Sequence, residues 1–171
     1  MKEYQVISHL VVHLVKEKSF IPSVVSARKK SQQSMIKRAL TKSKIDKRLL
    51  EGIEYHTTKD DIAGHFMHGK RSKDRKLIIE AKGGSVFYNF HTMLGQLITK
   101  IMSSSHYNWF AMAVPAAWEG RIKDLLTHKG KVKPGIEQFI QSHTRGGQGL
   151  WFYFVESDGA VYRKTWRQVL R

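Results

Sequence analysis

The chain has 171 residues, with thirty lysines and arginines against fourteen aspartates and glutamates, a formal net charge of +16. That excess is larger than solubility requires and points to a polyanionic partner; nucleic acid comes before a membrane surface, because the basic residues are not confined to one amphipathic helix or to a terminus. A hydrophobic share of 41% argues against wholesale disorder, and the lack of cysteine excludes disulfides and thiolate metal sites, which fits a reducing, cytoplasmic setting.

Residues 3 to 17 place Val6, Leu10 and Leu14, with Ile7, Val11 and Val15, in the broad apolar stripe of a helix packed on a sheet. His9 and His13 interrupt the stretch and no small-residue cleavage signal follows, so it is not read as an export signal. Phe20 to Val25 is β-branched and reads as a strand, with Pro22 arguing for an edge position. From Ser26 to Leu49 nine lysines and arginines, including Arg28, Lys29 and Lys30, stand against Asp46 alone, which reads as a solvated basic helix or a mobile arm.

Ile53 to His56 and Asp61 to Met67 read as strand segments, and Lys76 to Lys82 returns as a strand after the basic loop HGKRSKDRK. A helix follows from Phe90 to the serines at 103 to 105, then an apolar strand from Trp109 to Val114, then a helix from Ala116 to Leu126. Pro134 opens another short helical piece. Leu150 to Val155 and Val161 to Trp166, joined by Ser157-Asp158-Gly159, read as a terminal hairpin. The longest apolar run outside the first helix, Trp109 to Trp118, is about half of the roughly 20 residues that a membrane span needs. Together these elements predict an α/β fold of one domain, residues 1–171, with helices packed on a central mixed β-sheet and a basic insertion at about 26–49.

The stretch KLIIEAKG, residues 76 to 83, carries the chemistry. Side chains alternate along a strand, so Ile78, Glu80 and Lys82 share one face. In one reading the strand end emerges into solvent and the two charges screen each other. In the other the strand is covered on both sides, and a carboxylate there costs several kcal/mol unless it is paired or bound to a metal. Asp61, on the strand expected to pair with KLIIEAKG, would lie beside Glu80. Two adjacent carboxylates suit a hard divalent cation such as Mg²⁺, which takes few protein ligands and keeps waters for a substrate phosphate. An ammonium beside them suits phosphodiester hydrolysis, where it holds the attacking water or offsets developing charge.

Asp61 in DDIAG, Glu80 and Lys82 in IIEAKG, and Gln96 in HTMLGQLITK together resemble the PD-(D/E)xK nuclease superfamily, nearest in layout to its Holliday junction resolvase-like members. The resemblance runs from about Tyr4 to Val114 and implies a restriction-endonuclease-like core. It implies Asp61 and Glu80 as ligands of Mg²⁺ or Mn²⁺, the Ala81 carbonyl as a third ligand, Lys82 as the catalytic amine, and Gln96 as a neighbour of the site. Many members add an acid from the first helix, where this chain has Glu3. Lys59 or Asp60 stands where the namesake proline would be, and Asp60 replaces Asp61 as ligand if the register differs by one. Members that cut both strands of DNA commonly act as dimers.

Other residues invite the same questions. His9 and His13 have a metal-ligand spacing but no Glu or Cys to join them, so they read as partly exposed helix residues. His65 and His68 could contact phosphate or metal but read first as exposed polar residues, and Asp74 reads as a solvated loop charge. Tyr153 and Trp166 could stack on bases but read first as core. Lys70, Arg71, Lys73 and Arg75 would stand at a hairpin tip able to track a phosphate backbone, and His143, Arg145, Gly146 and Gly147 form a second basic loop. Two functional classes remain: a metal-dependent DNA endonuclease of the kind used in DNA recombination, and a non-catalytic basic nucleic-acid-binding protein.

Overall fold

The computed structural model describes residues 1–18, 20–57, 61–66, 76–84, 86–103, 108–128, 131–132, 135, 137–138 and 150–171. The loops with Lys70, Arg71, Lys73 and Arg75 and with His143, Arg145, Gly146 and Gly147 lie outside them, as do Lys59, Asp60, His68, Asp74 and Pro134.

The chain begins with helix α1 (Glu3–Lys18), strand β1 (Phe20–Ser26) and helices α2 (Lys30–Lys42) and α3 (Lys47–Glu51). Strands β2 (Glu54–His56), β3 (Ile62–Phe66) and β4 (Lys76–Ala81) precede the long helix α4 (Val86–Ser103). Strand β5 (Trp109–Pro115), a 3-10 turn at Ala116–Trp118 and helix α5 (Glu119–Leu126) follow, with a small ribbon of β6 (Thr127–His128) and β7 (Lys131–Val132). Strands β8 (Leu150–Val155) and β9 (Val161–Thr165) form the expected terminal hairpin, and a last helix spans Trp166–Leu170.

Among the described residues, seven strands make one mixed sheet in the order β2-β1-β3-β4-β5-β8-β9. The pairs β1/β2, β4/β5 and β5/β8 are parallel, whereas β1/β3, β3/β4 and β8/β9 are antiparallel. The fold is therefore the expected α/β mixed sheet with helices against it. One face buries Val6, Leu10 and Leu14 of α1 with Ile36 and Leu40 of α2. The other buries Phe90, Met93, Leu97 and Ile101 of α4 with Ile122 and Trp166. Strand β5 lies beneath both layers, which is why its run WFAMAVP is apolar throughout.

Two expectations change. Strand β1 is not an edge strand but lies between β2 and β3. Pro22 is tolerated because β2 is short and pairs only with Val24, Val25 and Ser26, so no β2 partner needs the missing N–H, and the pairing with β3 shifts register between Pro22 and Val24. Of the two readings of the basic segment, the helix is the one observed, because Ile36 and Leu40 anchor α2 against α1. Tyr153 and Trp166 are buried core residues. His65 is half-buried rather than exposed, and its Nδ1 has no hydrogen-bond partner. Among the described residues, no helix is long and apolar enough to cross a membrane.

Candidate active site

Strand β3 pairs with β4 in the register Ile62↔Ile79 and Ala63↔Ile78. Continuing that antiparallel register by one step sets Asp61 opposite Glu80. The contact is completed through the backbone, where the amide of Ala81 donates a 2.7 Å hydrogen bond to Asp61 Oδ2. Glu80 and Lys82 do not emerge into solvent. Their relative exposures are 2% and 3%, so each must be matched by a partner of opposite charge.

Those partners come from both helical layers. Lys82 Nζ lies 3.3 Å from Glu80 Oε1, 3.7 Å from Asp61 Oδ2 and 3.5 Å from Glu3 Oε2. Glu3 is in the first turn of α1, on one side of the sheet. Lys100 of α4, on the other side, pairs with Glu80 Oε2. Arg28, just beyond β1, places its Nε 3.6 Å from Glu3 Oε1 and leaves most of its side chain in solvent.

Glycine 83 permits this assembly. A Cβ at that position would stand 2.5 Å from the backbone nitrogen of Glu3 and 2.6 Å from the backbone of Lys2 and Met1. The amide of Gly84 also donates to the Met1 carbonyl at 3.0 Å. The start of α1 thus lies directly on the end of β4, and Glu3 can reach Lys82.

The surrounding cleft has a volume of about 230 Å³ and is lined by these charged residues together with Ser26, Ala27, Thr57 and Gln96. Ser26 Oγ is buried without a hydrogen-bond partner. Burial, followed by repulsion from Glu80, pushes the Asp61 carboxyl up from 3.8 to about 7, although the Lys82 ammonium and the Ala81 amide pull the other way.

Every described residue expected in the catalytic group lies here. Asp61, Glu80 and Lys82 converge, Ala81 touches Asp61 through its amide, and Gln96 stands exposed on the cleft wall. Arg28 reaches the cluster, and Lys29 and Lys30 are exposed beside it at the start of α2. Sequence reasoning named Glu3 without giving it a contact, and it missed Lys100 and Ser26. A signal for Lys100 existed: it lies four residues after Gln96, on the same helix face. Ser26 carried no signal, since it is the unremarkable last residue of a strand.

Among the described residues, no three His, Asp or Glu side chains gather into a metal-holding group. The donor set still fits a hard divalent cation, since Mg²⁺ is held by one or two carboxylates and keeps its waters. Asp61 and Glu80 supply that pair, the elevated pKa of Asp61 reflects in part the repulsion a cation would relieve, and Ser26 adds a buried hydroxyl without a hydrogen-bond partner. Compared with protein-family models, curated proteins and solved structures, the chain matches none.

Proposed function

We propose that the chain is a divalent-cation-dependent endonuclease that hydrolyses phosphodiester bonds in DNA. The observation that carries this reading is the approach of one buried ammonium, Lys82, to the carboxylates of both Asp61 and Glu80 within 3.7 Å. It is also the arrangement that the resemblance to PD-(D/E)xK nucleases implied.

In this reading Asp61 and Glu80 hold Mg²⁺ or Mn²⁺, with the Ala81 carbonyl as a further donor. A bound cation of this kind polarises the scissile phosphate and lowers the pKa of a water. Lys82 orients that water through its ammonium and offsets the negative charge that develops on the phosphate. Glu3 holds Lys82 from the α1 side, and Gln96 faces the substrate from α4. Arg28, Lys29 and Lys30 contact backbone phosphates at the rim. With one such site per chain, cutting both strands calls for a homodimer.

A second reading, a non-catalytic basic nucleic-acid-binding protein, is favoured by one observation. Glu3, Asp61 and Glu80 are matched in number by Arg28, Lys82 and Lys100, so with all six ionised the cluster is neutral without a cation.

Nicking of supercoiled plasmid in Mg²⁺ or Mn²⁺ separates the two. The wild type should nick, chelation should stop it, and Glu80→Gln and Lys82→Ala should each be slower by about a hundredfold or more. Equal nicking by all three proteins removes the site assignment. Salt-sensitive DNA binding without nicking by any of them supports the second reading.

A further inference from the structure

Away from the catalytic cleft, a groove of about 640 Å³ opens between α2, α3 and the edge strand β2. Lys37, Lys44 and Lys47 line it, with Glu51 as the only acid among the described residues of its lining, and Ile45, Leu50, Ile53 and Tyr55 supply the apolar surface. Lys37 Nζ sits 4.3 Å above the centre of the Tyr55 ring, which steadies the ammonium over the groove.

The groove is connected to the cleft by the fold. Gln33 Nε2 donates to the carbonyls of Ala27 at 3.2 Å and His56 at 3.0 Å, so the first turn of α2 is tied to the ends of β1 and β2, where the cleft begins. From there Lys30, Ser34, Lys37 and Thr41 are all exposed and follow one face of α2. The seven residue steps from Lys30 to Lys37 rise about 10 Å along the helix axis, close to three axial phosphate spacings along one strand of duplex DNA.

Lys44 supplies an independent indication. It holds a left-handed backbone conformation, φ 55°, immediately after the α2 C-cap. Glycine adopts that conformation without the steric penalty a lysine carries, so the fold alone would prefer glycine there. The position keeps its charge at a conformational cost.

We propose that the face of α2 and the groove at α3 and β2 form a nucleic-acid track that holds the phosphate backbone of the DNA arm leaving the catalytic cleft. Lys30, Lys37, Lys44 and Lys47 contact phosphates spaced along one strand, while the Ser34 and Thr41 hydroxyls between them donate to the carbonyls of Lys30 and Lys37 at 3.1 and 3.0 Å and keep that face of the helix short and polar. The track rests on the DNA-binding half of the proposed function and does not depend on catalysis.

The test is binding of a short linear DNA duplex, followed by fluorescence anisotropy in metal-free buffer across a salt series, for wild type and for the triple variant Lys37→Gln, Lys44→Gly, Lys47→Gln. Every lysine–phosphate pairing removed takes about 0.9 from the slope of log K against log salt. The slope of the triple variant should therefore fall by between about two and three, with at least a tenfold loss of affinity near physiological salt. Lys44→Gly alone should weaken binding while melting no lower than wild type, which separates the charge from the fold. An unchanged slope in the triple variant overturns the track. So does an unchanged DNA slope accompanied by loss of binding to anionic phospholipid vesicles, which would assign the groove to a membrane surface. If the slope falls but plasmid is never nicked, the track stands and the nuclease reading falls. If wild type shows no salt-dependent binding, both fall.

Discussion

Lys82 shares one ammonium among Glu3, Asp61 and Glu80, and only 3% of it is exposed. Removing a buried partner leaves charges without compensation, at a cost of about 3 to 5 kcal/mol. Lys82→Met should lose stability on that scale in chelator, measured by denaturant unfolding, and recover part of it in Mn²⁺. Stability unchanged in chelator would show that the three acids do not depend on Lys82. Asp61 gives the pH dependence. Its folded-state pKa is raised from 3.8 to about 7, so its contribution to stability is fully present below about 3.8 and is lost as pH rises through about 7. The melting temperature of metal-free wild type should therefore fall relative to Asp61→Asn across that window, with the gap constant above it. At this scale the sequence was informative where residues act through spacing along a strand: the alternation in IIEAKG put Glu80 and Lys82 on one side. It was silent on Ser26 and Lys100, whose places depend on which elements the fold brings together.

At the scale of elements, the site depends on how closely α1 approaches the end of β4. Glycine is the only residue type at position 83 that leaves room for the backbone of Lys2 and Glu3. Gly83→Ala should cost about 1 to 3 kcal/mol in unfolding free energy, as overpacking typically does. It should also slow nicking, because the displaced helix carries Glu3 away from Lys82. Wild-type stability and activity in Gly83→Ala would show that α1 does not position the site. Helix α1 and strands β4, β5 and β8 were legible because their apolar periods are long and unbroken. The position of β1 was not. Pro22 signals an edge only when the neighbouring strand is long enough to need its N–H, and β2 stops short of it. For α2 the sequence left helix and mobile arm both open, since Ile36 and Leu40 are two apolar anchors within a run of lysines and arginines.

Across the whole molecule, the cleft opens at the carboxyl ends of β1, β2 and β4, between a helix layer that supplies Glu3 and one that supplies Gln96 and Lys100. Open α/β sheets place ligand sites in that position, because the ends of parallel strands and the loops beyond them converge there. The chain carries a surplus of sixteen positive charges, while Glu3, Asp61 and Glu80 are paired with bases of the chain itself, so in the proposed reading the field should speed encounter with DNA without depending on Asp61 or Glu80. Stopped-flow association with duplex DNA should slow steeply as salt rises, by the same factor in wild type and Glu80→Gln. A rate insensitive to salt would remove the electrostatic role. The surplus is legible in amino-acid composition alone, whereas the neutrality of the cluster depends on pairing Arg28 and Lys100 with acids distant in sequence.

The most direct test of the shared cation site is Mn²⁺ binding by the chelator-treated chain, followed by electron paramagnetic resonance. Bound ion is expected in wild type and in Lys82→Met, with loss in Asp61→Asn and Glu80→Gln. Equal binding by all four proteins, or by none, would contradict the claim that Asp61 and Glu80 hold the ion beside which Lys82 orients the attacking water.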